Sequence, residues 1–162
     1  MILRPYQEVA VSAASKALDK YSNTLVVAPT GAGKTIMLSA LICKRYNKCK
    51  NILVLQHRDE LVNQNMAKFH MVNENISTSV VYAEIKDWDA DAVFSMVQTL
   101  SRLNNLADMT KVDMVVVDEA HHVAAETYQR IINKAKELNK SVEIVGFTAT
   151  PNRGDKKGLR DV

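Results

Sequence analysis

Residues Val112–Val117 read Val-Asp-Met-Val-Val-Val, apolar at all but one position, and run directly into Asp118 and Glu119. A run that is apolar nearly throughout, with no alternation, predicts a strand covered on both faces. Cover on both faces requires helices above and below, and the rest of the chain supplies them in alternation. Thr24–Ala28, Asn51–Gln56, Ser77–Tyr82, Ala92–Met96 and Val142–Phe147 read as further strands. Between them, apolar residues recur at helical spacing in a segment opening at Arg4, in Lys34–Tyr46, Arg58–Met71, Gln98–Leu106 and Ala124–Leu138. The expected class is α/β, with right-handed βαβ units building a mostly parallel sheet with helices on both faces.

The chain has 162 residues, which suits one domain. With 47% hydrophobic and 24% charged residues it has the composition of a packed core. No apolar run reaches the roughly 18–20 residues needed to span a bilayer, so no membrane partner is expected. Two cysteines, Cys43 and Cys49, make neither a disulfide framework nor a four-ligand zinc site. They read as reduced thiols, giving the expectation of a cytoplasmic, reducing compartment. The net charge of +3 permits a polyanionic partner without requiring one.

Two segments carry chemistry. In Ala28-Pro29-Thr30-Gly31-Ala32-Gly33-Lys34-Thr35 a glycine-containing loop joins a strand to a helix. Such a loop aims several backbone N–H groups at one anion, beside the positive end of a helix. Lys34 can reach the β- and γ-phosphates of a nucleotide, and the Thr35 hydroxyl can ligate Mg²⁺. Ala28 stands where the strict pattern has glycine. Alone, the loop says only nucleoside triphosphate, and P-loop kinases, GTPases and transporter ATPases fit it equally well. The second segment is Asp118-Glu119 at the end of the apolar run. Asp118 is positioned to hold Mg²⁺ opposite Thr35, and Glu119 to polarise an attacking water. Of the two histidines that follow, His121 reads as a relay sensing the nucleotide state and His122 as structural.

Taken in order, Ala28 to Thr35, Asp118-Glu119-Ala120-His121 and Thr148-Ala149-Thr150-Pro151 resemble a superfamily 2 helicase with a DEAH box. The resemblance runs from Arg4 to Gly158 and implies a RecA-like P-loop NTPase fold using ATP and Mg²⁺. It also implies roles for smaller motifs. Arg4-Pro5-Tyr6-Gln7 is similar to the superfamily's Q motif, making Gln7 the adenine reader with Arg4 beside it. Thr30, Gly31, Ala32, Gly33, Lys34 and Thr35 then hold the phosphates. Gln56-His57-Arg58-Asp59-Glu60-Leu61 looks like motif Ia, where Arg58 meets a nucleic-acid backbone, and Thr99 in Gln98-Thr99-Leu100 is a second such contact. Thr148 and Thr150 resemble the motif that couples hydrolysis to domain movement.

The residues Gly146–Asp155 look closest to the branch of type I and III restriction motor subunits, DNA-repair helicases and phage helicases, which favours DNA over RNA. The resemblance therefore implies the N-terminal motor domain of a DNA helicase or translocase. The alternatives are an RNA helicase, a restriction motor subunit, a non-helicase P-loop ATPase and a nucleotide-binding module. Hydrolysis in the family needs a second RecA-like domain. Residues 1–162 read as the first domain only, a fragment expected to be weak or inactive alone. The basic cluster Lys44, Arg45, Lys48 and Lys50 reads as cations favoured at a helix C-terminus. Trp88 reads as a partly buried residue in an acidic loop.

Overall fold

A computed structural model describes residues 3–28, 33–57, 59–81, 87–120 and 125–149. In chain order these form α1 (Pro5–Tyr21), β1 (Asn23–Ala28), α2 (Lys34–Arg45), β2 (Ile52–Gln56), α3 (Asp59–Val72), β3 (Thr78–Val81), β4 (Ala92–Met96), α4 (Val97–Leu100), α5 (Leu103–Ala107), β5 (Met114–Asp118), α6 (Glu126–Leu138) and β6 (Glu143–Ala149). Pro5 suits the first turn of α1, where its missing N–H costs nothing. The helix stops at Ser22, which turns left-handed (φ 63°) and donates its N–H to the Leu18 carbonyl at 3.0 Å.

Among the described residues, six strands make one sheet in the order β1-β6-β5-β2-β4-β3, every neighbouring pair parallel. The expected strand covered on both faces is β5, and its five residues are all buried. Strand period 2 divides the core in two. Ile52 and Val54 of β2, Met114 and Val116 of β5, and Val145 and Phe147 of β6 face α1, α2 and α3. Leu53 and Leu55, Val115 and Val117, and Ile144 face α4 and α6. In α6 the buried Tyr128, Ile131, Ile132 and Ala135 fall at helical spacing. Burying a large aliphatic or aromatic side chain fully, as Leu38, Leu41, Ile42 and Phe94 are buried, contributes about 1.5–3 kcal/mol.

Two expectations need correction. The single helix expected over Gln98–Leu106 is two short ones, broken at Arg102, whose backbone is extended (ψ 139°). Short polar side chains sustain the break: Ser101 Oγ donates to the Gln98 carbonyl at 3.3 Å and Asn105 Nδ2 to the Thr99 carbonyl at 2.7 Å. Such bonds give the backbone an alternative to the helix ladder. The basic cluster also divides. Lys44, Lys48 and Lys50 are exposed, but Arg45 is buried, because carboxylates on α1 and β6 surround its guanidinium. Trp88 is partly buried against the α6-side core, as expected.

Candidate functional site

The chemistry-bearing residues gather at the carboxyl edge of the sheet, where ligands of parallel α/β sheets bind. β6 lies between β1 and β5, so the strand carrying Thr148 is hydrogen-bonded both to the strand entering the glycine loop and to the strand ending in Asp118. Gly33 opens α2 in a left-handed conformation (φ 78°), which glycine adopts without strain. A side chain there would also stand 2.7 Å from Gln7 Nε2, so Gln7 packs directly on the loop's last glycine. Gln7 is buried, and its Oε1 accepts the Arg4 backbone N–H at 2.9 Å. The same side chain thus caps α1 and borders the loop.

Lys34, the first residue of α2, reaches across to the end of β5. Its Nζ donates to Glu119 Oε1 at 2.8 Å and stands 3.8 Å from Asp118 Oδ1. Glu119 turns back toward Lys34 through a left-handed backbone (φ 58°), unfavourable for a residue with a Cβ. Asp118 Oδ1 accepts the Glu119 N–H at 2.9 Å, which steadies that turn. Burial pushes the Asp118 carboxyl above the usual carboxylate range and Glu119 adds to this, while Lys34 pulls it back. A cation arriving at Asp118 would favour its ionised form for the same reason Lys34 does. On α6, burial raises the Tyr128 phenol to about 12, with Asp118 and Glu119 adding to the shift.

Thr35 Oγ1 donates to Asn65 Oδ1 at 2.8 Å. Asn65 Nδ2 in turn donates to Gln56 Oε1 at 2.8 Å and to Asp118 Oδ2 at 3.4 Å. Thr35 and Asp118 therefore contact the same carboxamide. A hydroxyl and a carboxylate are the hard oxygen donors that Mg²⁺ takes, usually one or two from the protein beside substrate phosphates. The donor set fits that ion.

A lysine from a glycine loop meeting two acids at the end of a buried strand, in an all-parallel sheet, coincides with a match to the family model "Type III restriction enzyme, res subunit" over residues 1–153. The chain belongs to this family. Among relatives of this res-subunit domain, a Saccharomyces cerevisiae protein named "Putative ATP-dependent helicase IRC3" is 32% identical over 98% of this chain and 25% of its own length. The Aspergillus fumigatus ATP-dependent DNA helicase mph1 is 29% identical over 81% of this chain and 13% of its own length. The res-subunit domain thus spans a quarter or less of these relatives. Its fold is that of the Pyrococcus furiosus Hef helicase domain, with a TM-score of 0.81 at 24% identity, covering 98% of this chain and 35% of that one. The bacteriophage T4 UvsW helicase gives 0.75 at 18%, covering 99% and 57%. The sheet is the RecA-like one expected.

In the res-subunit domain, then, Arg4, Gln7, Gly33, Lys34, Thr35, Asp118 and Glu119 share one edge. Thr148 lies buried in β6, one residue past the register partner of Asp118. Thr99 lies in α4 at the end of β4 and is buried. Thr30, Gly31, Ala32, Arg58, His121 and Thr150 lie outside the described residues.

The sequence reading missed Asn65, and gave Gln56 no part beyond opening the motif Ia segment. Asn65 stands three residues after Val62 and four before Phe69, all three buried. A polar residue inside a helix's buried stripe was the available signal. It also passed over Gly146, mid-strand in β6. A Cβ there would stand 2.6 Å from the Ala120 Cβ and 3.0 Å from Leu25 Cδ1, so glycine admits the turn that carries Glu119. Gly146→Ala is expected to destabilise the res-subunit domain by about 1–3 kcal/mol, the range for overpacking, read as a lowered urea midpoint. An unchanged midpoint would mean that the turn shifts freely.

Proposed function

We propose that this chain is the ATP-binding N-terminal motor domain of a superfamily 2 helicase or translocase acting on DNA. The observation that carries this reading is the meeting of Lys34 with Glu119 at 2.8 Å, two residues 85 positions apart in sequence. Together they supply a phosphate cation and a water-orienting carboxylate at one point. ATP entering the edge would lay its adenine toward Gln7 and Arg4 and its phosphates along Thr30–Thr35. Lys34 would exchange Glu119 for the β- and γ-phosphate oxygens. Glu119, released, would accept a hydrogen bond from the attacking water. Thr35 and Asp118 would hold Mg²⁺, which when bound neutralises phosphate charge. His121, Thr148 and Thr150 would pass the nucleotide state on to a second RecA-like domain of the same parent protein. That domain is also expected to complete the cleft, leaving residues 1–162 weak or inactive alone.

Arg58, following β2, and Thr99 in α4 would meet a nucleic-acid backbone. The name of the Aspergillus relative, an ATP-dependent DNA helicase, supports DNA as the track. The free thiols Cys43 and Cys49 suit a reducing, cytoplasmic compartment. The test is ATP hydrolysis by the intact protein, alone and with duplex DNA, single-stranded DNA or RNA. Stimulation by duplex DNA is expected. Stimulation by RNA alone would reassign the track, and turnover indifferent to any nucleic acid would replace the motor with a simple ATPase. Lys34→Ala, which removes a charge-assisted phosphate contact, is expected to weaken ATP binding on the order of 10–100-fold. Wild-type affinity in that variant would overturn the assignment of the loop.

A further inference from the structure

Asn65 is 4% exposed, and its amide is used on both sides. Its Nδ2 faces two acceptors, Gln56 Oε1 at 2.8 Å and Asp118 Oδ2 at 3.4 Å. Turning the amide over would set its oxygen against the ionised Asp118 carboxylate, which can only accept, so Asp118 fixes its orientation and Gln56 then presents its oxygen to the same nitrogen. Oδ1 is then the atom that meets Thr35, and the Thr35 hydroxyl must donate, as it does at 2.8 Å. A hydroxyl that gives its hydrogen to Asn65 keeps its lone pairs for a cation. One side chain therefore sets the proton on Thr35 and, together with the Glu119 N–H on Oδ1 at 2.9 Å, the rotation of Asp118. It also holds Gln56, whose Nε2 has no partner among the described residues. Gln56 ends β2, two residues before Arg58.

From this geometry we infer that Asn65 is a positioning residue for the divalent cation. It presets the two protein oxygens that receive the ion and fastens them to the strand leading into the nucleic-acid segment. The inference rests on the reading of Thr35 and Asp118 as cation ligands. Nothing in it requires Asn65 to touch nucleotide or metal.

The test separates cation positioning from ordinary packing without relying on turnover. A fluorescent non-hydrolysable ATP analogue is titrated into the intact protein with excess Mg²⁺ and again with EDTA. The ratio of the two dissociation constants is the gain that Mg²⁺ supplies. Asn65→Ala is expected to shrink that gain by about tenfold, the lower end for partners of metal ligands, while leaving the EDTA affinity at the wild-type value. Asn65→Leu, which keeps the volume and the apolar surroundings of Val62 and Phe69, should lose the same gain. It carries the test should the alanine variant not fold. An equal loss in both arms, or an intact gain in a folded variant, would overturn the inference. Lys34→Ala distinguishes the two levels. If wild-type protein binds the analogue in a Lys34-dependent way but the gain ignores Asn65, only this inference falls. If wild-type protein binds no analogue at all, it falls together with the ATP reading.

Discussion

Glu119→Gln is expected to leave ATP bound and to slow its hydrolysis by about 10²–10⁴-fold, the usual contribution of a positioned acid–base group. The two side chains have nearly the same shape, and glutamine suffers the left-handed backbone at this position (φ 58°) no more than glutamate does. What changes is the second oxygen: an amide nitrogen cannot accept a proton or hydrogen bond from water. The affinity should move the other way. Glu119 holds Lys34 at 2.8 Å, with the side chains 29% and 20% exposed. A pair so open to solvent is worth at most about 1 kcal/mol. Removing its charge frees Lys34 for phosphate and should tighten ATP by no more than about fivefold. Equilibrium binding of a non-hydrolysable analogue, set beside single-turnover hydrolysis, reads both quantities. Wild-type hydrolysis in the variant would take the water-orienting role away from Glu119.

The carboxylates, the lysine and the sheet were legible in the sequence because each signal is local. The apolar run before Asp118 states its own burial, and a strand, a glycine loop and a helix stand side by side in Val26–Ile36. What stayed hidden is what the sheet brings together from afar. Asn65 joins Thr35 and Asp118 from residues 30 and 53 positions away, and its place in the buried stripe of α3 does not say which partners it meets. Gly146 carries no signal of its own in the sequence, and its reason appears only with Ala120 set against it. The break at Arg102 was missed for a different reason. Helical periodicity continues across it, while the bonds that sustain it, from Ser101 and Asn105 to backbone carbonyls, have no periodic signature. Arg45 was misread most fully, since its place near a helix end is explained equally well by the helix dipole.

That last misreading marks where the fold is most vulnerable. Arg45→Ala is expected to destabilise the domain by about 3–5 kcal/mol, the cost of removing one partner from a buried ion pair. Arg45 Nε and Nη2 fork onto Glu143 at 2.7 and 2.5 Å, Nη1 donates to the Ser15 carbonyl and hydroxyl at 2.8 Å, and Nη2 also reaches Asp19 at 2.9 Å. One guanidinium thus ties the end of α2 to α1 and to the start of β6. Lysine cannot reproduce a fork with this many donors in one plane, so Arg45→Lys should recover only part of the loss. Cys49, bonded to the same Glu143 carboxylate, supplies a local readout of unfolding. Its Sγ donates to Glu143 Oε1 at 3.3 Å, and burial together with Glu143 pushes the thiol up to about 12. A thiol with so little thiolate resists alkylation at neutral pH, while the exposed Cys43 serves as the internal control. In Arg45→Ala, Cys49 should label at urea concentrations that leave the wild type protected. The candidate site lies at the opposite edge of the sheet, so ATP affinity of the folded variant should match wild type. A loss of affinity without a loss of stability would mean that Arg45 acts on the site itself. The double variant Arg45→Met with Glu143→Leu removes both charges and should regain most of the stability, because the single variant's cost lies in the carboxylate left behind.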